Sequence, residues 1–264
     1  MLYYEKIINN ANFEWVLFIH GMGGSIKTWK YQLEDYSKKY NLLLIDLIGH
    51  GKSKIEKINK KEYLPYVCAK KIDEILLFEN ISKVHIVSMS LGTLVALEYY
   101  KNFISKVSSL VLSGCIINLN KKREILLNCV RTFKQIIPKE ILYNTFALLI
   151  MPKKNHEKSR KIFIRESKKM NDMQFKYWID SMAKSQEYLN SYIKKINEKN
   201  IPILFISGKE DYFFFCGIEK LCDKIKNFDF KVLKNCGHVC SIENPQEFNN
   251  ISLKFFNKIK IEYS

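Results

Sequence analysis

The sequence contains no apolar run long enough to cross a membrane, and it opens without the pattern of a secretory signal. An α-helix needs roughly 20 consecutive apolar residues to span a bilayer, and no stretch of the chain comes near that length. The first residues, MLYYEKIINN, lack a basic segment followed by an apolar one. We therefore expect neither a membrane span nor a cleaved export signal.

Metal-binding cysteine patterns are also missing. The seven cysteines are odd in number and include no C-x-x-C spacing, so neither a zinc site nor a disulfide framework is indicated. Reduced cysteines are typical of the cytoplasm, which is the location we expect. No flavin, nucleotide or metal motif occurs, and we therefore expect no cofactor.

Arginine is scarce although the chain is strongly basic. Lys and Arg together number 43 against 27 Asp and Glu, a formal net charge of +16. The lysines are spread over the whole chain, whereas nucleic-acid surfaces depend on localised patches rich in Arg. We expect no nucleic-acid partner. An acidic acyl-carrier protein is a partner that this charge would favour.

The 264 residues are enough for one large α/β domain with an insertion. Several segments are almost wholly apolar, as in parallel strands that are covered on both faces. We predict a mostly parallel central sheet with helices on both faces. Its buried strands are expected at 13–19, 41–47, 84–87, 107–115, 201–207 and 228–233, beside edge strands within 1–12. A helix that carries Trp29, Leu33 and Tyr36 on one side is expected after Ser25.

Residues 116–200 have a different pattern from the rest of the chain. They show no convincing strand, and apolar residues recur there at helical spacing. We interpret this region as a helical cap inserted between two strands of the sheet. The core would then comprise residues 1–115 and 201–264, and apolar faces of the cap could line a substrate pocket.

The most informative stretch is VHIVSMSLGTLVALEYY, residues 84–100. It begins as a buried strand and ends as a helix. Between the two lies Ser88-Met89-Ser90-Leu91-Gly92, a G-x-S-x-G turn with Ser in place of the first Gly. Such a turn holds its central Ser on a strained corner above the sheet. We predict that Ser90 is a nucleophile; the alternative is a chance turn of small residues.

A glycine-rich loop, HGMGGS, follows the first predicted core strand at residues 20–25. It has three glycines in four positions, in a chain that has only ten. Such backbone bends sharply and leaves N–H groups free. Attack on a carbonyl creates an oxyanion that needs two such donors. We predict the N–H groups of Met22 and Leu91 as these donors.

A serine nucleophile needs a base, and the base needs a carboxylate. Of the five histidines, His238 alone follows the final predicted strand in a loop that contains Gly. Asp211 follows the preceding strand, 27 residues upstream, and Glu210 beside it is the rival carboxylate. Loops after parallel strands lie at one edge of a sheet. We therefore predict that Ser90, His238 and Asp211 meet there.

Two polar residues near the second core strand are interpreted as structural. Asp46 lies near the end of the predicted strand at 41–47, where a catalytic role is conceivable, but binding to loop backbone is the better interpretation. His50, in the Gly-containing loop that follows, is expected to organise that loop rather than to act as a base.

The chain resembles the α/β-hydrolase-fold serine hydrolases over nearly its whole length. The matching segments are HGMGGS (20–25), DLIGHGKS (46–53), SMSLGTLVALEYY (88–100), PILFISGKED (202–211) and GHVCSIENPQEF (237–248). The resemblance implies Ser90 as nucleophile, Asp211 as acid and His238 as base. It also implies oxyanion donors at Met22 and Leu91 and a lid in the helical insertion. The sequence departs from the family pattern at Ser88 and Thr93, where glycines are usual.

The resemblance implies cleavage of a carboxylic ester or thioester of a small to medium acyl substrate, through an acyl-enzyme on Ser90. It also implies a small-molecule substrate that contacts His20, Gly21, Gly23 and Val239. Two alternatives stay open. One is a carbon–carbon bond hydrolase or lyase-like relative, and the other is a non-catalytic ligand-binding protein that keeps the fold. A serine at the turn argues against branches of the family with an aspartate nucleophile.

Overall fold

A computed structural model describes residues 1–53, 62–116 and 121–262. In these ranges, seven strands form one sheet in the order β1-β3-β2-β4-β5-β6-β7. The strands are β1 (Tyr4–Ile7), β2 (Trp15–Ile19), β3 (Asn41–Ile45), β4 (Val84–Met89), β5 (Val107–Ser113), β6 (Ile203–Gly208) and β7 (Phe228–Leu233). Each strand predicted from the sequence is present, most of them a few residues shorter than expected.

The sheet is parallel except at one edge. β1 runs antiparallel to β3, and every other neighbouring pair is parallel. The order of the strands reverses at β2, because β3 lies on one side of it and β4 on the other. Ligands of open α/β sheets bind at such a point, beyond the carboxyl ends of the strands. The loops after β2 and β4 are therefore where a site is expected.

Helices cover both faces of the sheet. The helices of the described ranges are α1 (Leu33–Ser37), α2 (Leu64–Phe78), α3 (Leu91–Asn102), α4 (Lys121–Phe133), α5 (Lys139–Ile150), α6 (Glu157–Ser167), α7 (Asp172–Glu198), α8 (Phe215–Cys222), α9 (Cys240–Glu243) and α10 (Pro245–Glu262). All residues of β3, β4 and β6 are buried, because helices cover both faces of the sheet at these strands. This confirms the predicted α/β fold class.

The helix predicted after Ser25 is broken in two, which corrects the expectation from the sequence. A 3₁₀ helix (Ile26–Trp29) is followed by the short α1. Between them Gln32 is fully buried, and its Nε2 donates to the Ser241 carbonyl and to Asn249 Oδ1, at 3.0 Å each. These long-range hydrogen bonds stabilise the interruption, which local periodicity does not reveal.

The segment from α4 to α7, residues 121–198, lies between β5 and β6 in the chain and contains no strand in its described residues; residues 117–120 lie outside the described ranges. We call it the helical segment. It contacts the loops at the carboxyl edge of the sheet. Tyr143 Oη donates to the Met22 carbonyl at 2.7 Å, and Trp178 Nε1 donates to the Ile48 carbonyl at 3.1 Å. The division into core and cap domains stays a prediction.

The other expected absences concern the membrane and the cysteines. Among the described helices, none combines the length and the apolar character that a bilayer crossing needs. All seven cysteines fall within the described ranges, and no disulfide joins them.

Candidate active site

Ser90 occupies a strained backbone position between β4 and α3. Its φ is 52° and its ψ is −122°, a conformation that costs a non-glycine residue roughly 1–3 kcal/mol. Its N–H donates to the Ser113 carbonyl at 2.9 Å. Its carbonyl accepts from the Thr93 N–H at 2.8 Å and from Thr93 Oγ1 at 2.6 Å. The surrounding hydrogen bonds therefore hold the turn in its strained form.

The residues on either side of Ser90 explain the small-residue pattern. A Cβ on Gly92 would lie 2.5 Å from the carbonyl oxygens of both Ile19 and His20, so this position requires glycine. Ser88, in contrast, is accommodated: it is fully buried, and its Oγ donates to the Val111 carbonyl at 3.3 Å. The departure from the motif at Ser88 therefore leaves the turn intact.

Ser90, His238 and Asp211 form one hydrogen-bonded chain. The distance from Ser90 Oγ to His238 Nε2 is 2.8 Å, and that from His238 Nδ1 to Asp211 Oδ2 is 2.7 Å. The second oxygen of Asp211 accepts from the Phe214 N–H at 3.1 Å. The carboxylate assigns the proton to Nδ1, which leaves Nε2 to accept from the serine hydroxyl. All three side chains are buried, His238 completely.

The loops that carry Ser90, Asp211 and His238 can meet because two glycines allow the backbone segments to approach closely. A Cβ on Gly208, the last residue of β6, would lie 2.0 Å from the Gly237 carbonyl oxygen. A Cβ on Gly114, which has a φ of 52°, would lie 2.7 Å from the His238 carbonyl oxygen. Glycine at both positions therefore lets the loop that carries His238 lie against the ends of β5 and β6.

The glycine-rich loop lies directly against Ser90. A Cβ on Gly21 would lie 3.1 Å from Ser90 Cβ. The Gly21 carbonyl accepts from His20 Nδ1 at 2.7 Å and from the Gly24 N–H at 3.0 Å. Because C=O and N–H point in opposite directions across a trans peptide, the Met22 N–H points away from these groups. Leu91 begins α3, where an N–H has no acceptor within its own helix.

His20 is held behind this loop as a neutral ring. Its Nε2 accepts from the Leu47 N–H at 3.0 Å, and burial lowers its pKa to about 4. His50 lies beside it with ring centres 5.1 Å apart, and burial lowers the pKa of His50 to about 3. His50 Nδ1 donates to the Ile48 carbonyl at 3.1 Å. His50 thus organises its own loop, as interpreted from the sequence.

A small, mostly apolar cavity adjoins Ser90. Its volume is about 30 Å³. It is lined by the predicted substrate contacts Gly21, Gly23 and Val239, and by Met22, Met89, Ile162, Phe163, Ile242 and others. Glu166 is the one charged residue among its described lining residues, and His20 is not among them. Substrate contact by His20, Gly21, Gly23 and Val239 stays a prediction.

A second, larger cavity of about 720 Å³ lies next to the first. The two share Gly23, Gly24 and Glu166 as lining residues. Lys27, Lys52 and Lys169 line the larger one. Asp46 also lines it, but its carboxylate is occupied by the N–H groups of Ile26 at 2.8 Å and Lys52 at 2.7 Å. Asp46 therefore has the structural role interpreted from the sequence.

Glu210, the rival carboxylate, has other partners than His238. It accepts hydrogen bonds from Lys153, Asn155 and His156 of the helical segment, and Lys153 above all holds its pKa below the usual range. No local pattern in the sequence indicates this cluster around Glu210. The described residues hold no group of three His, Cys, Asp or Glu side chains placed for a metal ion.

With this geometry established, the chain can be compared with known proteins. A family model for the alpha/beta hydrolase fold matches residues 14–245. The chain is 23% identical to a 2-hydroxy-6-oxononadienedioate/2-hydroxy-6-oxononatrienedioate hydrolase of Paraburkholderia phymatum, over 94% of this chain and 88% of the relative. It is also 23% identical to an uncharacterized carboxylesterase of Bacillus subtilis, over 92% of this chain and 79% of the relative.

Solved structures agree on the fold. An esterase from Exiguobacterium antarcticum superposes with a TM-score of 0.80 at 18% identity, over 98% of this chain and 95% of that chain. At such identity the likeness speaks for the fold alone.

Proposed function

The chain belongs to the alpha/beta hydrolase fold family, and on that premise we propose that it is a serine hydrolase of carboxylic esters or thioesters. One observation carries the proposal: Ser90 Oγ lies 2.8 Å from His238 Nε2, and His238 Nδ1 lies 2.7 Å from Asp211. Acyl transfer requires a serine that is hydrogen-bonded to a base, and a carboxylate that orients this base.

In the proposed first step Ser90 Oγ attacks the carbonyl carbon of the substrate, and His238 Nε2 takes the hydroxyl proton. Asp211 keeps the proton of His238 on Nδ1 and stabilises the imidazolium that forms. The N–H groups of Met22 and Leu91 donate to the oxyanion of the tetrahedral intermediate. His238 then gives its proton to the leaving alcohol or thiol as the C–O or C–S bond breaks.

In the second step water replaces the leaving group. His238 Nε2 takes a proton from the water as its oxygen attacks the acyl carbon on Ser90. The bond from the acyl carbon to Ser90 Oγ breaks, the acid departs, and the proton returns to the serine. These steps use only side chains and backbone groups of this chain.

The Ser90 cavity has a mostly apolar lining, which supports an acyl group without charge. Its volume of about 30 Å³ holds little more than a water molecule. Residues of α6, such as Ile162 and Phe163, form one wall. We infer that the helical segment is a lid, and that α6 shifts outward when substrate binds. The larger neighbouring cavity would then accept the leaving group.

Carbon–carbon bond hydrolysis is the second candidate, because the Paraburkholderia phymatum relative is named as a hydrolase of a dioate. The lining of the Ser90 cavity does not favour a dicarboxylate, which needs cationic partners, because its one described charged residue, Glu166, is acidic. Cations lie instead in the larger neighbouring cavity, which Lys27, Lys52 and Lys169 line. Turnover of p-nitrophenyl esters of short acids, compared with that of a diketone dicarboxylate, distinguishes the two reactions.

Intact-mass analysis after treatment with a fluorophosphonate tests the proposal. The reagent phosphonylates an activated serine with loss of fluoride. We expect one adduct on the wild-type protein, none on Ser90→Ala, and loss of ester turnover by at least about a thousandfold in that variant.

Ser159→Ala is the matched control, because Ser159 lines the same cavity. This variant should be labelled like the wild type. If the wild type forms no adduct and turns over no ester, the serine hydrolase is excluded and the non-catalytic ligand-binding alternative takes its place.

A further inference from the structure

A second carboxylate–histidine pair lies beside the proposed catalytic one. Residues 153–156 link α5 to α6 and end in a 3₁₀ helix (Lys154–His156); we call them the 153–156 turn. Three of its side chains donate to the carboxylate of Glu210: Lys153 Nζ at 2.6 Å, Asn155 Nδ2 at 3.0 Å and His156 Nε2 at 2.8 Å. The turn therefore binds the residue next to Asp211.

His156 is completely buried and has a defined tautomer. Its Nδ1 accepts from the backbone N–H of Lys153 at 3.3 Å, which assigns the ring proton to Nε2. Nε2 lies 2.8 Å from Glu210 Oε2 and 3.6 Å from Glu243 Oε2. The N–H of His156 is thus directed between two carboxylates that belong to different loops.

Both carboxylates are built into the loops of the proposed catalytic residues. Glu243 accepts from the Gly237 N–H at 2.7 Å and from the Val239 N–H at 3.0 Å, the groups on either side of His238. The N–H of Glu210 donates to the Cys236 carbonyl at 2.9 Å. The position of His238 relative to Asp211 therefore depends on how Glu210 and Glu243 are held.

We propose that His156 is a positioning residue for His238, acting through Glu210 and Glu243. This inference rests on the proposed function of Ser90 and His238. The buried N–H lies between two like charges and keeps them at a fixed separation; each carboxylate has further donors, but without this N–H the two would repel each other more strongly. Because His156 directly precedes α6, which lines the Ser90 cavity, the same contact ties the wall of the cavity to the base.

Two substitutions of His156 test the proposal: one removes the hydrogen-bond donor of the ring, and the other keeps a donor. His156→Phe keeps an aromatic ring of similar size but removes the N–H, whereas His156→Gln supplies an amide N–H near the place of Nε2. We expect kcat for a p-nitrophenyl ester, and the rate of fluorophosphonate labelling, to fall about 10-fold or more in His156→Phe with KM little changed. His156→Gln should restore both rates to within about threefold.

Asn155→Ala is the matched control. It removes a neighbouring hydrogen bond to the same Glu210 carboxylate but keeps the N–H of His156 between the two acids. Because Lys153 and His156 still hold Glu210, both rates should stay within about threefold of the wild type. An equal loss in Asn155→Ala, or an effect of His156→Phe on KM alone, would mean that the turn merely attaches α6 and would overturn the proposal.

A folded His156→Phe protein with wild-type rates also overturns it. If that variant does not fold, Glu243→Gln replaces it, since the amide can accept from only one of the two N–H groups beside His238. A wild-type rate in Glu243→Gln contradicts the inference, and a loss like that expected for His156→Phe supports it. A wild-type protein that neither labels nor turns over ester contradicts the proposed function itself, which keeps the two failures distinct.

Discussion

At the scale of single residues, Gly92 is the position where one added methyl group would disturb the turn that carries Ser90. A Cβ there would lie 2.5 Å from two carbonyl oxygens. We expect Gly92→Ala to lower the free energy of unfolding by about 1–3 kcal/mol, as overpacking does, and to slow fluorophosphonate labelling as the turn shifts. Urea denaturation and labelling kinetics measure the two effects.

Ser88→Gly is the control for this prediction, because it restores the usual residue of the motif two positions before Ser90. It removes only the hydrogen bond from Ser88 Oγ to Val111, and labelling should proceed at the wild-type rate. Equal labelling rates in Gly92→Ala and Ser88→Gly would mean that the turn does not need glycine after Ser90.

His20 is expected to orient one of the proposed oxyanion donors. Its Nδ1–H donates to the Gly21 carbonyl at 2.7 Å, and that peptide carries the N–H of Met22. In His20→Phe the peptide keeps only the hydrogen bond from the Gly24 N–H and is held less firmly. Because removal of one oxyanion donor costs roughly 100- to 1,000-fold in kcat, we expect a loss of about 10-fold or more in kcat with KM little changed.

His50→Phe provides the comparison, since His50 is an equally buried neighbour whose ring donates to the Ile48 carbonyl instead. Its kcat should stay within about threefold of the wild type. Steady-state kinetics on one ester measure both variants. Equal losses would indicate a general disturbance of the loop rather than control of the Met22 peptide.

At the scale of secondary-structure elements, α6 is expected to set the length of the acyl chain. Phe163 lines the Ser90 cavity and packs on Tyr143, with ring centres 4.6 Å apart. Phe163→Ala should enlarge the cavity and shift the preferred acyl chain to a longer one, by roughly 10-fold in relative kcat/KM. Assays over a series of p-nitrophenyl esters measure this shift.

Leu148→Ala on α5 is the matched substitution, since Leu148 is 54% exposed and is not among the residues described as lining the cavity. Its chain-length profile should match that of the wild type. A profile unchanged in Phe163→Ala would mean that the acyl group binds elsewhere.

The sheet and the loops at its carboxyl edge could be predicted from the sequence because each has a local signal. Strands such as β3 are continuous apolar runs. Ser90, Asp211 and His238 each lie in the turn or loop that follows a strand, with a glycine nearby. Parallel pairing then brings these turns to one edge. The hydrogen bonds between the three side chains agree with that expectation.

Contacts between distant elements could not be predicted, because they leave no local pattern. His156, Glu210 and Glu243 come from three separate parts of the chain, and nothing in the spacing of these residues links them. The break before α1 has the same origin: Gln32 is held by Ser241 and Asn249, more than 200 positions away. Helical periodicity alone predicts one continuous helix where the structure has two.

For the whole molecule, the net charge of +16 suggested an acidic acyl-carrier protein as a partner. The similarities to known proteins give that partner no support. Local ion pairs, such as Lys153 with Glu210 and Lys106 with Asp73 at 2.6 Å each, engage some of the lysines but leave the net charge unchanged. The net charge alone therefore does not identify a partner.

Stability of the whole fold should depend on pH through two buried histidines. Burial lowers the pKa of His20 from 6.5 to about 4 and that of His50 from 6.5 to about 3. Below pH 6.5 the unfolded chain protonates both rings while the folded protein does not, so unfolding takes up protons. The stability is full above about pH 6.5 and is lost as the pH falls toward about 4 for His20 and about 3 for His50, by at most about 1.4 kcal/mol per pH unit for each histidine.

Urea denaturation at several values of pH between 4 and 7 measures this dependence. A His20→Gln/His50→Gln double variant should show a shallower loss of stability over the same range, because neither side chain titrates there. An equal slope in both proteins would assign the pH dependence to other groups.

The hydrogen bond between Ser90 and His238 joins residues 148 positions apart. If Ser90 is the nucleophile, this separation sets the time at which its reactivity appears during synthesis. Domains fold as the chain emerges from the ribosome, amino-terminal parts first. A nascent chain that has released β1 to β5 already contains the proposed nucleophile but neither Asp211 nor His238. The proposed base, His238, arrives only after β7, an edge strand of the sheet. An unfinished or truncated copy of this protein would therefore carry an inert serine and could not attack esters around it.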